Sequence, residues 1–227
     1  MIIYGKHLFL HVLKNYPEIL KRVYLSKRCD SKLFSAISKA TSDIHNIDNK
    51  KAQALSRGGN HQGFIAEIED IEFSSFESLK SSSFLIILNE ITDVGNIGAI
   101  LRSAYAFGAD GVVVSGIKSL NLEAIIRASS GAVFELPVVL FPNTLDLTNE
   151  LKQVGFKLYG ADLDGKYVHK MKFSPKLALF MGSEGKGINK RVKAKLDEIV
   201  SIKMVRDFDS LNVSVATAIM CDRIANG

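Results

Sequence analysis

The chain has 227 residues, 47% of them hydrophobic and 23% charged, with a formal net charge of +5. That is enough apolar material for one or two cores. The apolar runs, such as Phe84 to Leu88, are too short to span a bilayer, His and Lys interrupt the N-terminal segment against a signal-peptide reading, and Cys29 and Cys221 lie far apart without metal-ligand spacing.

No membrane partner and no metal are therefore expected, and the thiols read as free groups in a reducing cytoplasm. Charge is unevenly placed. Residues 1–57 hold 11 Lys plus Arg against 4 Asp plus Glu, residues 58–80 hold 1 against 5, and the remainder is nearly balanced. A basic N-terminal lobe attracts a polyanion such as RNA, although Lys-rich helices are also ordinary solvated faces.

In chain order, HLFLHVLKNY (7–16) has helical apolar spacing and Pro17 stops it. RVYLS (22–26) reads as a strand. DSKLFSAISKA (30–40) reads as a helix capped by Asp30 or Ser31, and DNKKAQALSRGG (48–59) as a short helix capped by Asp48 and ended by Gly58-Gly59. HQGFIAEIED closes this first unit, residues 1–70, with a strand. IEFSSFESLKSSS (71–83) has six serines and no periodicity, which predicts a linker.

From residue 84 to 227 strands and helices alternate. FLIILNE, DGVVVSG, LPVVLF, FKLYGAD, LALFMG and DEIVSIKM read as strands. NIGAILRSAYAFG, NLEAIIRASSG, TLDLTNELKQVG, NKRVKAKLD and the closing run from 211 read as helices. Such alternation predicts an α/β domain with a mostly parallel sheet covered on both faces. The closing helix is apolar nearly all round, with Ser210 as its expected cap.

Three loops leave strand ends where α/β sheets bind ligands. In the first, Asn96 and Arg102 lie six residues apart behind Gly95 and Gly98. Read alone it is a strand-to-helix turn with Asn96 as cap. In the second, FMGSEGKGI (180–188) fits neither a Walker A loop nor a dinucleotide fingerprint, because its glycine spacing and its late strand are wrong for both. It is a backbone-rich loop with one carboxylate, Glu184. In the third, Ser210 and Asn212 follow a short loop and, read alone, are helix caps. Asp162 and Asp164 read as turn residues.

Together the three segments resemble the motifs of the SpoU/TrmH family of RNA ribose 2′-O-methyltransferases, in the SPOUT superfamily. Asn96-Ile-Gly-Ala-Ile-Leu-Arg102 resembles the first, Met181-Gly-Ser-Glu-Gly-Lys-Gly187 the second and Ser210-Leu-Asn-Val-Ser-Val-Ala216 the third. YGKHLFLHVLKN and GGNHQGFIAEI resemble the ends of the L30e-like substrate-binding domain of the RlmB branch, which acts on large-subunit rRNA. Two departures stand out: Lys203 and Arg206 replace a usual Pro and Gly, and Val94 replaces a usual Pro.

The resemblance implies a SPOUT domain with a deep trefoil knot, otherwise nearly absent from proteins, and a homodimer packed through it. It implies S-adenosyl-L-methionine as cofactor, held by backbone at Met181, Gly182, Gly187, Ile202 and Leu211. It assigns Arg102 to the ribose hydroxyl, as a base or an electrostatic clamp, with Asn96, Glu184, Ser210 and Asn212 around it. It suggests His61, Gln62 and Lys186 as RNA contacts. Guanosine in large-subunit rRNA is the expected target. The alternatives are tRNA ribose methylation, methylation of a base nitrogen, and a non-catalytic RNA-binding ribosome-assembly factor.

Overall fold

The computed structural model describes residues 1–206 and 210–227. The chain divides into two compact units, one of Met1–Glu72 with Leu122–Gly131 and one of Phe73–Asn121 with Ala132–Gly227.

The first unit runs β1 (Ile2–Tyr4), α1 (Lys6–Asn15), β2 (Leu20–Leu25), α2 (Ser31–Ala40), β3 (Ile44–Asn46), α3 (Asn49–Leu55) and β4 (Phe64–Ile68). Asp30 and Asp48 cap α2 and α3, accepting from the Leu33 and Lys51 N–H groups at 2.8 and 2.7 Å. Each such cap contributes about 1 kcal/mol. The sheet order is β1-β4-β2-β3, with β4 antiparallel to both neighbours and β3 parallel to β2. β1 and β3 were not expected from the sequence. With three residues each, their alternation is too short to register, and they form because β4 and β2 offer open edges. Leu8, Phe9 and Val12 of α1 are buried along with Ile3, Val23 and Ala66 of the sheet.

In the second unit, β5 (Phe84–Asn89), α4 (Val94–Ala106) and β6 (Gly111–Ser115) come first. The next helix, α5 (Leu122–Ala128), lies in a stretch that packs with the first unit, where Arg127 stacks over the Tyr4 ring at 5.1 Å. The second unit resumes with α6 (Ala132–Glu135), β7 (Val138–Phe141), α7 (Thr144–Gln153), β8 (Lys157–Tyr167), β9 (Leu177–Gly182), α8 (Lys190–Lys193), β10 (Glu198–Ser201) and α9 (Val213–Asn226). Its six strands are all parallel, in the order β10-β8-β9-β5-β6-β7.

Every residue of β5 and β6 is buried, as sheets covered on both faces require. Leu85, Ile87, Val113, Leu147, Leu151 and Phe180 belong to one core cluster. The serine-rich stretch read as a linker puts Phe76 and Leu79 into the same cluster. Leu79 lies so close to Gly111 that a Cβ there would stand 2.6 Å from its methyl.

The β8–β10 pairing is irregular. Ile199 pairs with Gly160, but the next residue, Val200, pairs with Lys166. Residues 161–165 therefore bulge out of the ladder. Gly165 closes the bulge against the Val200 backbone, which a Cβ would approach to 2.4 Å, and the Ser201 hydroxyl donates to the Gly165 carbonyl at 2.7 Å. Among the described residues, no helix is long and apolar enough to cross a membrane.

Candidate active site

A cleft of about 430 Å³ opens beyond the carboxyl ends of β9 and β10. One wall is the loop after β9. Gly182 is pressed against that loop, and a Cβ on it would lie 2.2 Å from the Gly187 carbonyl carbon. Gly185 and Gly187 take positive φ angles of 83° and 63°, which only glycine adopts without strain. The Gly187 N–H closes the loop by donating to the Ser183 carbonyl at 2.9 Å. The opposite wall is apolar, with Ile202 and Met204 after β10 and Val213, Ala216 and Met220 on α9.

Beside this cleft the three predicted loops meet. Asn212 caps α9: its Oδ1 accepts from the Ser214 N–H at 3.0 Å, the Val215 N–H at 3.4 Å and the Ser214 hydroxyl at 2.6 Å. These donors fix the amide's orientation, so its Nδ2 must face the other way. There it donates to Asn96 Oδ1 at 2.9 Å and Glu184 Oε1 at 2.8 Å. Asn96 then presents its own Nδ2 to Glu184 Oε1 at 3.3 Å. The Val213 N–H reaches the same oxygen at 3.3 Å. One carboxylate oxygen thus gathers three donors from two loops, and no alternative amide orientation satisfies them all.

The helix starts differ from expectation in both places. Asp93, not Asn96, caps α4, accepting from the Asn96 N–H at 2.6 Å. Asn212, not Ser210, caps α9. Asn96 is therefore free to spend its side chain on Glu184.

Met181, Gly182, Gly187, Ile202 and Leu211 all line the cleft, as do Glu184, Lys186 and Ser210. Arg102 does not. It stands exposed on α4, six residues beyond Asn96 and so about 9 Å along the helix axis. Among the described residues it makes no hydrogen bond or ion pair. Lys203 and Arg206 are exposed beside the cleft.

In the first unit, Gln62 has φ 52° and its Oε1 accepts from the Lys6 N–H at 2.9 Å, so it ties its loop to the start of α1. His61 is only 4% exposed, and its Nδ1 accepts from the Gly63 N–H at 3.1 Å. Its ring is turned inward and holds the turn, so it is not open to an RNA contact.

Sequence reasoning missed Asp162 and Leu163, which the β8 bulge brings to the cleft. Asp162 Oδ1 accepts from the Leu163 N–H and Oδ2 from Lys193 Nζ, both at 2.7 Å. Burial pushes its carboxyl upward, but Lys193 and the Leu163 and Asp164 backbone N–H groups outweigh it and hold it below the usual carboxylate range.

The family profile described as SpoU rRNA Methylase matches residues 83–222, and the one described as RNA 2′-O ribose methyltransferase substrate binding matches residues 2–74. The chain belongs to the SpoU rRNA methylase family. Among its relatives in sequence is the 23S rRNA (guanosine-2′-O-)-methyltransferase RlmB of Haemophilus ducreyi, 31% identical over 231 residues, covering 96% of this chain and 94% of that one. An uncharacterized tRNA/rRNA methyltransferase of Archaeoglobus fulgidus is 35% identical over 184 residues, covering 78% and 82%. The AdoMet-bound rRNA methyltransferase of Sinorhizobium meliloti has the same fold, with a TM-score of 0.80 over 98% of this chain and 85% of that chain, at 21% identity.

Proposed function

We propose that this chain moves a methyl group from S-adenosylmethionine to a ribose 2′-hydroxyl of RNA, and that its substrate is a guanosine of large-subunit rRNA. The observation that carries the reading is the Glu184–Asn96–Asn212 network beside a glycine-walled cleft, in a chain of this family. The substrate class rests on the match at residues 2–74 and on the full-length likeness to a 23S rRNA guanosine enzyme.

The cleft suits the cofactor. Its volume lies within the roughly 300–1,000 Å³ of small-molecule sites, and it sets apolar walls opposite exposed loop backbone. Met181, Gly182, Gly187, Ile202 and Leu211 would hold the nucleoside and its methionine chain. S-adenosylmethionine, when bound, supplies an electrophilic methyl carbon on a sulfonium.

The protein's own task is to aim a ribose oxygen and manage its proton. Arg102 carries five N–H donors with no partner among the described residues, and a guanidinium is a poor base. It acts as a clamp on the sugar–phosphate, lowering the cost of charge on the hydroxyl oxygen as the proton leaves. Glu184 keeps Oε2 clear of other groups among the described residues, available to orient Arg102 or the sugar. Asn96 and Asn212 hold that carboxylate still, and Ser210 offers a hydroxyl at the rim.

The family fold carries two further proposals. The C-terminal segment is threaded as a deep trefoil knot. Two chains pair through α4 and α9, which pack on each other yet leave Tyr105 and Val215 at 52% and 48% exposure. Sedimentation is expected to give a dimer, and Tyr105→Glu with Val215→Glu a monomer. The proposed place of work is the cytoplasm.

The test of the activity is transfer of labelled methyl from S-adenosylmethionine to size-fractionated RNA lacking native modification, with Arg102→Ala alongside. Label is expected in large-subunit rRNA and not with the variant. Label in tRNA would keep the chemistry and change the substrate. Cofactor binding without label in any fraction would favour a binding factor.

A further inference from the structure

The cleft has two carboxylates in its lining, and they are not equivalent. Glu184 has one oxygen filled by three donors and belongs to the network shared with Asn96 and Asn212. Asp162 stands on the opposite strand, β8, and takes no part in that network. Its oxygens receive hydrogen bonds from the Leu163 N–H and from Lys193, and the Asp164 backbone N–H also bonds to the carboxylate. A carboxylate offers about four acceptor positions, so these three donors leave one unused by any described residue.

Its position has a structural cause. The pairing of β8 with β10 skips from Gly160 to Lys166, so five residues leave the ladder and Asp162 stands at the cleft. Bulges of this kind re-aim side chains beside functional sites. Two features secure the bulge: Gly165, which no other residue could replace against Val200, and the Ser201 hydroxyl on the Gly165 carbonyl. Asp164, two residues on, is exposed and does not line the cleft.

Lys193 balances the Asp162 charge at 2.7 Å. A cation entering the cleft therefore meets a neutral pair and gains little attraction there. A neutral donor gains a strong acceptor, because hydrogen bonds to an ionised oxygen are about twice as strong as neutral ones. One free acceptor at the lining of the cleft matches one hydroxyl of a bound nucleoside.

We infer that Asp162, presented by the β8 bulge and neutralised by Lys193, recognises a hydroxyl of the cofactor's ribose. The assignment rests on the cleft being the S-adenosylmethionine site. It makes the YGADLDG stretch a specificity element that selects a ribonucleoside over its deoxy counterpart.

Calorimetric titration with S-adenosylhomocysteine and with its 2′,3′-dideoxy analogue tests this without turnover. The wild-type protein is expected to prefer the diol. Asp162→Asn should weaken S-adenosylhomocysteine about tenfold, the loss expected for hydrogen bonds to a charged acceptor, and leave the dideoxy analogue nearly unchanged. Lys193→Met should keep the preference for the diol, since the carboxylate remains. Unchanged affinity in Asp162→Asn, or an equal loss for both ligands, overturns the assignment alone. So does a Lys193→Met variant that loses the preference as Asp162→Asn does, for then lysine makes the contact. A wild-type protein that binds neither nucleoside overturns the cofactor reading of the cleft, and this assignment with it.

Discussion

Asn212 has two plausible roles from sequence, a helix cap and a site residue, and its amide has one atom for each. Its Oδ1 caps α9 while its Nδ2 reaches Asn96 and Glu184. Asn212→Asp separates the two. The aspartate still caps the helix, but an acceptor now faces two acceptors, one of them a carboxylate. Methyl transfer is expected to fall about 100-fold, the scale of removing one preorganised polar group. Thermal unfolding should move by no more than about 4 °C, since the cap survives. Undiminished transfer would leave Asn212 a cap only. The residues of this network were legible because short polar residues behind strand ends carry a local signature. Asp162 was not. Asp-Leu-Asp-Gly has turn composition, and what makes it a cleft residue is a register shift against β10, some forty residues away in sequence.

At the level of elements, most helices announce themselves through their caps and their 3.6-residue spacing, and the strands through buried apolar runs. Boundaries shifted where tertiary demands intervened. NKRVKAKLD forms a helix only over Lys190–Lys193, because Asp197 beyond it is drawn to the Leu158 N–H at 2.8 Å and to Lys152 at 2.7 Å. The loop after β9 is the element with least latitude. A methyl at Gly182 meets the Gly187 carbonyl carbon and the Ile188 nitrogen, both backbone. Gly182→Ala must open the loop. It is expected to cost about 1–3 kcal/mol in thermal or urea unfolding and to abolish nucleoside binding in the same titration. A variant with normal stability and affinity would show that the loop is not the tight wall described above.

At the scale of the molecule, the parallel sheet was readable from buried strands alternating with helices. The composition of the two units was not. NLEAIIRASSG has the spacing of a helix, but nothing local says which sheet its apolar face will cover. Leu122, Ile125 and Ile126 are buried, and the stretch packs with the first unit. Fully burying such side chains contributes about 1.5–3 kcal/mol each. A fragment of residues 1–72 alone is therefore expected to melt lower than one carrying a tethered 122–131 segment, as calorimetry of the two would read. Equal melting would mean that the segment adds nothing to that unit. The same arrangement sets a timetable for synthesis. The first unit cannot close its apolar face until Gly131 has left the ribosome, by which time β5, α4 and β6 are already outside. The first unit is finished only after the second has begun to be made, and a single proteolytic nick after Glu72 is expected to leave the amino-terminal piece bound to residues 122–131 rather than released.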